Sequence, residues 1–207
     1  MMGQPRFRIV VLLSGSGSNL QAILGATRNG ALPAVEVVLV VSDRASAYGL
    51  ERAAHASVPT LHFPARPFTQ AGKTREDYDA ALAEAILPHA PDLIVCAGWM
   101  RILSPAFLDR FPGKIINLHP ALPGVLAGKD SLRGTFDATM RGEAIPTGCM
   151  VHRVIAEVDA GAVIDTEAVP IAPGDTLETF AARMHAAEHR SIVRAIAKIF
   201  GQLPPLT

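Results

Sequence analysis

Two polar side chains at the end of one apolar run are the first candidates for chemistry. In Asn117-Leu118-His119-Pro120, an extended chain sends residues two apart to the same side, so Asn117 and His119 would face one site. An amide can donate to a developing oxyanion, and an imidazole titrates near neutrality. The alternative is an amide and an imidazole satisfied by backbone at a strand end. Asp159, just before Ala160-Gly161, is either a turn residue or, if it lies beside His119, a carboxylate that favours the imidazolium. A third candidate is Ser14-Gly15-Ser16-Gly17-Ser18-Asn19, where glycines permit a tight turn and a following helix would offer free N–H groups to a phosphate. An ordinary tight turn fits the same residues. It is neither a Walker loop nor GxGxxG. The fourth, His185-Ala186-Ala187-Glu188-His189, matches the inverted zinc-protease pattern. No His, Asp, Glu or Cys follows His189 to supply a third ligand. That motif therefore reads as a solvated helix face or as a substrate contact by Glu188. His152, in an apolar run, reads as a satisfied core histidine. Trp99 and Met100, after Ala97-Gly98, either line a pocket for a flat ligand or simply pack.

The elements that must hold these groups alternate between strand and helix. Apolar, β-branched runs at Phe7 to Leu13, Val35 to Val41, Pro59 to Phe63, Asp92 to Ala97 and Lys114 to Leu118 read as strands. Helical spacing separates them at Asn19 to Thr27, Tyr48 to Ala56 and Arg75 to His89. Short apolar runs alternating with helices predict an α/β, doubly wound, mainly parallel sheet. After Pro123 the pattern changes. A helix at Ser131 to Met140 precedes two close strands, Gly148 to Val154 and Ala162 to Val169, whose spacing favours an antiparallel excursion. A long final helix opens at Asp175, with Glu178 three residues later as in a capping box, and the Leu203-Pro-Pro-Leu-Thr207 tail stops it. Pro64 to Lys73 has the weakest pattern and is expected to be a mobile loop.

Composition narrows the class. The chain has 207 residues, enough for a full core in one domain. Lys plus Arg is 19 and Asp plus Glu is 19, which argues against a nucleic-acid binder that relies on bulk positive charge. With 49% hydrophobic and 18% charged residues it is not a disordered chain. Cys96 and Cys149 are too few for a disulfide scaffold and read as buried thiols. No apolar stretch is long enough to span a bilayer, and the start lacks a signal-peptide pattern, so the expectation is a cytoplasmic protein without membrane contact.

Five segments occur in an order that resembles a known family: Val11-Leu-Leu-Ser-Gly-Ser-Gly-Ser-Asn-Leu-Gln21, Val41-Ser-Asp-Arg-Ala-Ser-Ala-Tyr-Gly-Leu-Glu-Arg-Ala53, Ala97-Gly-Trp-Met-Arg-Ile-Leu-Ser104, Ile116-Asn-Leu-His-Pro-Ala-Leu-Pro123 and Glu157-Val-Asp-Ala-Gly161. Together they resemble the phosphoribosylglycinamide formyltransferases of purine synthesis, over about residues 7 to 200. The Asn-x-His-Pro motif with a later Asp marks the wider formyltransferase superfamily, and the Gly-Ser-Asn loop and Tyr-Gly-Leu-Glu-Arg run point to this branch of it. The resemblance implies one formyltransferase domain over 1–207. Residues 1–110 would be mainly the phosphate- and ribonucleotide-binding half, and 111–207 mainly the catalytic and folate-binding half. It implies Asn117, His119 and Asp159 as the catalytic trio. Gly17, Ser18 and Asn19 would hold the substrate phosphate and Glu188 the ribose hydroxyls. Arg75, Met100, Arg101, Ile102, Leu103 and Asn117 would contact the folate. One departure is the Gly124-Val-Leu-Ala-Gly-Lys-Asp130 segment, where Lys129 and Asp130 stand in place of an expected histidine.

The implied reaction moves the formyl group of 10-formyltetrahydrofolate, a co-substrate, to the amine of glycinamide ribonucleotide. It needs no metal, and its partners are these small molecules, with a homodimer as the one protein assembly left open. Asn117 and protonated His119 would stabilise the oxyanion, and Asp159 would hold the imidazole charged. A formyltetrahydrofolate hydrolase would share the trio, but with an added N-terminal domain. A methionyl-tRNA formyltransferase would add a C-terminal domain. A non-catalytic nucleotide-binding module would need only the Gly-Ser loop.

Overall fold

The first two β-branched runs pair in parallel, β1 (Phe7–Leu13) beside β2 (Val35–Ser42), with Phe7 opposite Val35. The computed structural model describes residues 6–125 and 131–201. Its further strands are β3 (Thr60–His62), β4 (Leu93–Cys96), β5 (Ile115–His119), β6 (Gly148–Arg153) and β7 (Val163–Ala168). They form one seven-stranded sheet in the order β3-β2-β1-β4-β5-β6-β7. The first five strands are parallel, and β6 and β7 are antiparallel to their neighbours. This is the doubly wound sheet with an antiparallel excursion that the patterning predicts.

Helices cover both faces: α1 (Ser18–Asn29), α2 (Tyr48–His55), α3 (Arg66–Gln70), α4 (Arg75–Ile86), α5 (Pro105–Leu108), α6 (Ser131–Met140) and α7 (Leu177–Ile199). The two-residue period of β1 divides its side chains between two cores. Ile9, Val11 and Leu13 pack with Leu20 and Ile23 of α1 and with Ile192 and Ile196 of α7. Val10 and Leu12 pack with Tyr78 and Leu82 of α4 and with Phe107 of α5. Successive strands are laid down on opposite sides of β1, so the order reverses between β1 and β4. Ligands of open α/β sheets sit outside the carboxyl ends of strands at such a reversal.

Three local expectations are corrected. Pro64 to Lys73 is not a featureless loop, because it contains α3. Phe68 of that helix meets the Tyr78 ring edge-on at 5.4 Å and Phe63 at 5.9 Å, which anchors the segment on α4. Five residues are too few for helical period to show in sequence. At the last helix the N-cap is Thr176, not Asp175, and the reciprocal cap joins Thr176 to Thr179. Asp175 instead accepts the Ala172 N–H at 2.6 Å and pairs with Arg183 at 2.5 Å. The Arg183 guanidinium, then the Ala172 N–H, hold its carboxyl well below the usual range. The Arg75 helix is also shorter than read from the sequence. It ends at Ile86, and a single 3-10 turn at Leu87–His89 follows, where Pro88 removes a donor. Lys129, Asp130 and the Leu203 to Thr207 tail lie outside the described residues.

Candidate active site

The loops that leave β1 and β4 are tied together at the strand reversal. The Ser14 N–H donates to Gly98 O at 2.9 Å, and the Met100 N–H donates to Ser14 Oγ at 3.0 Å. Gly17 ends the first loop with φ 70, the left-handed region, and caps α1 without a side-chain bond. A Cβ on Gly17 would lie 2.5 Å from Gly49 Cα. Glycines at both positions therefore let α2 press on the loop, where Gly49 N–H donates to Gly15 O at 3.1 Å. Arg52 of α2 also donates to Ser16 O, at 2.9 Å. The first N–H groups of α1, at Ser18 and Asn19, stand at the loop's end and give an anion a place to bind.

Beside this loop lies a cleft of about 390 Å³ lined by fourteen residues. Cys96 to Leu103 supply one wall, with Trp99 only 8% exposed. Val154, Ile155, Glu157 and Val158 supply the other, and Asn117, His119, His152 and Asp159 stand among the lining side chains. Met100, Ile102, Ile155 and Val158 are four of the seven large apolar side chains left exposed among the described residues. Their collection around one cleft marks a surface that an apolar ligand would cover. The cleft draws on residues from both halves of the chain, because β4 and β5 are adjacent and Cys96 pairs with Asn117.

Asn117 and His119 leave β5 on the cleft side as their spacing predicts, and Asp159 does reach His119. His119 Nε2 lies 3.7 Å from Asp159 Oδ2. Asp159 is held at φ 55, which an aspartate tolerates better than most residues. Its loop closes on β6 through the Arg153 N–H, which donates to Ala162 O at 2.9 Å. Gly161 permits this approach, since a Cβ there would fall inside contact distance of Arg153 O. Gly161→Ala is therefore expected to destabilise the fold by about 1–3 kcal/mol, read as a lower urea midpoint, and to reduce turnover by displacing Asp159.

Two opposing influences act on the proton affinity of His119. Burial lowers the His119 pKa from its ordinary value of 6.5, Asp159 opposes this by attraction, and a positive charge on His152 would add to it by repulsion. The net direction is down, and Asp159 is the neighbour that favours the imidazolium when a proton arrives. His152, expected as core filling, is a site residue. It is 2% exposed, and its Nε2 lies 3.4 Å from Asp159 Oδ1 and 3.3 Å from Asn117 Nδ2. The signal that could have found it is the antiparallel strand pair: in register, His152 stands opposite Asn117.

Glu188 lies on the buried face of α7, 6% exposed, and faces the first loop. Its Oε2 accepts from His185 Nδ1 at 3.1 Å and from Asn19 Nδ2 at 3.4 Å. The bond to Glu188 raises the His185 pKa. Asp165 of β7 anchors the next turns of α7, accepting from Ser191 Oγ at 2.7 Å, Arg194 Nη2 at 2.7 Å and Lys198 Nζ at 2.6 Å. Among the described residues no group of three or more His, Cys, Asp or Glu is placed to hold a metal ion. Of the residues expected to touch folate, Met100, Arg101, Ile102, Leu103 and Asn117 line the cleft. The Arg101 guanidinium sits 4.8 Å from the Tyr78 ring centre. Arg75 is not brought to the cleft lining; it opens α4 and pairs with Glu76 at 3.5 Å.

The formyl transferase family model matches residues 7–196. A phosphoribosylglycinamide formyltransferase of Schizosaccharomyces pombe is 48% identical over 198 residues, 92% of this chain and 96% of that protein. The enzyme of the same name from Saccharomyces cerevisiae is 41% identical, over 95% of this chain and 98% of its own length. The crystal structure of glycinamide ribonucleotide transformylase 1 from Symbiobacterium toebii superposes with a TM-score of 0.84 at 42% identity, covering 95% of this chain and 88% of that one.

Proposed function

This chain belongs to the phosphoribosylglycinamide formyltransferase family, and we propose that it transfers the formyl group of 10-formyltetrahydrofolate to the amine of glycinamide ribonucleotide. The observation that carries this reading is the convergence of three features. A glycine-rich loop meets a buried carboxylate through Asn19 and Glu188. The Asn117, His119 and Asp159 side chains stand in one cleft. Exposed apolar groups rim that same cleft. The loop at Gly17, Ser18 and Asn19 takes the phosphate, and Glu188 takes the ribose hydroxyls through its second oxygen. The Trp99 to Leu103 wall and the apolar side chains opposite take the folate. The partners are these two small molecules, and the proposed setting is the cytoplasm. No helix among the described residues is long and apolar enough to cross a membrane.

The residues perform the steps as follows. The substrate amine attacks the formyl carbon, forming the new C–N bond as the carbonyl oxygen becomes an oxyanion. An N–H of Asn117 stabilises that oxygen. Neutral His119 takes a proton from the ammonium nitrogen, and Asp159 at 3.7 Å stabilises the imidazolium that results. The imidazolium adds a second favourable charge beside the oxyanion. Collapse breaks the bond between the formyl carbon and the folate nitrogen, which receives the proton from His119. Binding energy from phosphate and ribose, remote from the reacting atoms, orients the amine.

Glu188→Ala tests the division of labour. The KM for glycinamide ribonucleotide is expected to rise on the order of 10-fold or more, the loss of a hydrogen bond from a charged acceptor, while the folate KM changes little. Trp99 is the chain's one tryptophan and lines the cleft, so folate binding is expected to quench its fluorescence in wild type and variant alike. A rise in the folate KM instead, with the ribonucleotide KM unaltered, would remove Glu188 from the ribose site.

A further inference from the structure

We propose that His152 is a positioning residue whose Nε2 lone pair fixes the amide of Asn117, leaving one Asn117 N–H aimed at the reacting carbonyl oxygen. This rests on the formyl-transfer reading for its consequence, but its structural content stands on three contacts. His152 Nδ1 lies 2.9 Å from the Arg153 carbonyl oxygen. A carbonyl only accepts, so Nδ1 carries the hydrogen. His152 Nε2 then faces two groups with opposite demands. Asn117 Nδ2, at 3.3 Å, only donates, and Asp159 Oδ1, at 3.4 Å, only accepts. A neutral imidazole with its hydrogen on Nδ1 satisfies Asn117. An imidazolium would satisfy Asp159 and set its own N–H against the Asn117 amide.

Asp159 is shared, with its other oxygen toward His119. A proton delivered during the reaction therefore goes to His119, which is the more open of the two, its side chain 15% exposed against 2% for His152. With His152 neutral, one hydrogen of Asn117 Nδ2 is engaged and the second is free for the cleft. Without the lone pair the amide can turn over, which puts Oδ1 where the donor should be. An acceptor there would repel a developing oxyanion. A buried imidazole lacking a partner on Nε2 would also cost about 1–3 kcal/mol, so the contact with Asn117 holds both groups.

The test reads the tautomer directly. Histidine labelled with nitrogen-15 in the wild-type protein at neutral pH is expected to show His152 protonated on Nδ1 and bare on Nε2. A proton on Nε2 would overturn the proposal. His152→Phe keeps a planar ring but no lone pair. It is expected to lower kcat on the order of 10-fold, the cost of a misplaced group, with both KM values little changed. His152→Gln, whose carbonyl can accept from Asn117, is expected to recover part of the loss. Unchanged kcat in a folded His152→Phe protein, or a loss confined to KM, would contradict it. If the phenylalanine variant does not fold, the wild-type tautomer still decides. If the wild-type protein transfers no formyl group, the functional reading fails, whereas the tautomer still decides the Asn117 contact.

Discussion

Replacing His119 or Asn117 by alanine is expected to lower kcat on the order of 100-fold or more in each case, with the protein still folded. Each substitution removes a group that meets charge developing only in the transition state, and one such donor is worth roughly 3 kcal/mol in other oxyanion sites. Neither residue carries the core. Both lie on the cleft side of β5 and are partly exposed, whereas Ile115, Ile116 and Leu118 of the same strand are buried. The loss should therefore appear in kcat and kcat/KM together, with little change in the urea midpoint for His119→Ala and a lower midpoint for Asn117→Ala, which leaves His152 Nε2 without its donor at a cost of about 1–3 kcal/mol. The double variant should lose less than the product of the two single losses, because the pair serves one oxygen. Near-normal turnover in either single variant, or loss of folding in both, would contradict the assignment.

Asp159→Asn carries the second large effect and a signed one. The carboxylate at 3.7 Å attracts a proton to His119, and its charge is the one influence that raises a pKa lowered chiefly by burial. Removing that charge moves the His119 titration to still lower pH. Followed by the His119 ring resonance, the wild-type midpoint is expected below 6.5, and the Asp159→Asn midpoint below the wild-type one. In both proteins His119 is neutral above its midpoint and charged below it. Turnover requires the neutral form to accept the amine proton, so the acid limb of kcat moves to lower pH in the variant. The plateau above that limb falls on the order of 100-fold, because the imidazolium formed during the reaction has lost its counter-charge. Folate binding, read by Trp99 quenching, is expected to persist. A midpoint that rises in the variant would show that Asp159 is not coupled to His119.

Much of this arrangement was legible in the residues. The short β-branched runs gave a parallel sheet because β1, β2, β4 and β5 are largely buried on both sides, and the period-two rule placed Asn117 and His119 on one side of β5. The close spacing of Gly148 to Val154 and Ala162 to Val169 gave the antiparallel pair. Proximity of Asp159 to His119 was not legible, since it depends on a left-handed backbone at Asp159 and on Gly161 closing against β6. The balance of influences on His119 was not legible for a related reason. Sequence shows the carboxylate but not the burial, and burial is the larger influence. His152 was passed over because an apolar strand gives no sign of which strand lies opposite. The cap at Thr176 was misplaced by one residue, as Asp175 and Thr176 both suit an N-cap and only the Arg183 contact separates them.

The most direct measurement of the central account is the fate of the formyl group with and without its acceptor. Transfer and hydrolysis use the same electrophile, the same oxyanion and the same three side chains. They differ in whether an amine held by the Gly17 to Asn19 loop and Glu188 occupies the attacking position. Purified protein is given 10-formyltetrahydrofolate, first alone and then with glycinamide ribonucleotide, and both formate and formylated ribonucleotide are measured. The account predicts rapid loss of 10-formyltetrahydrofolate only when the ribonucleotide is present, with one formylated ribonucleotide formed for each formyl group consumed. Equally fast deformylation in its absence, with release of formate, would contradict it.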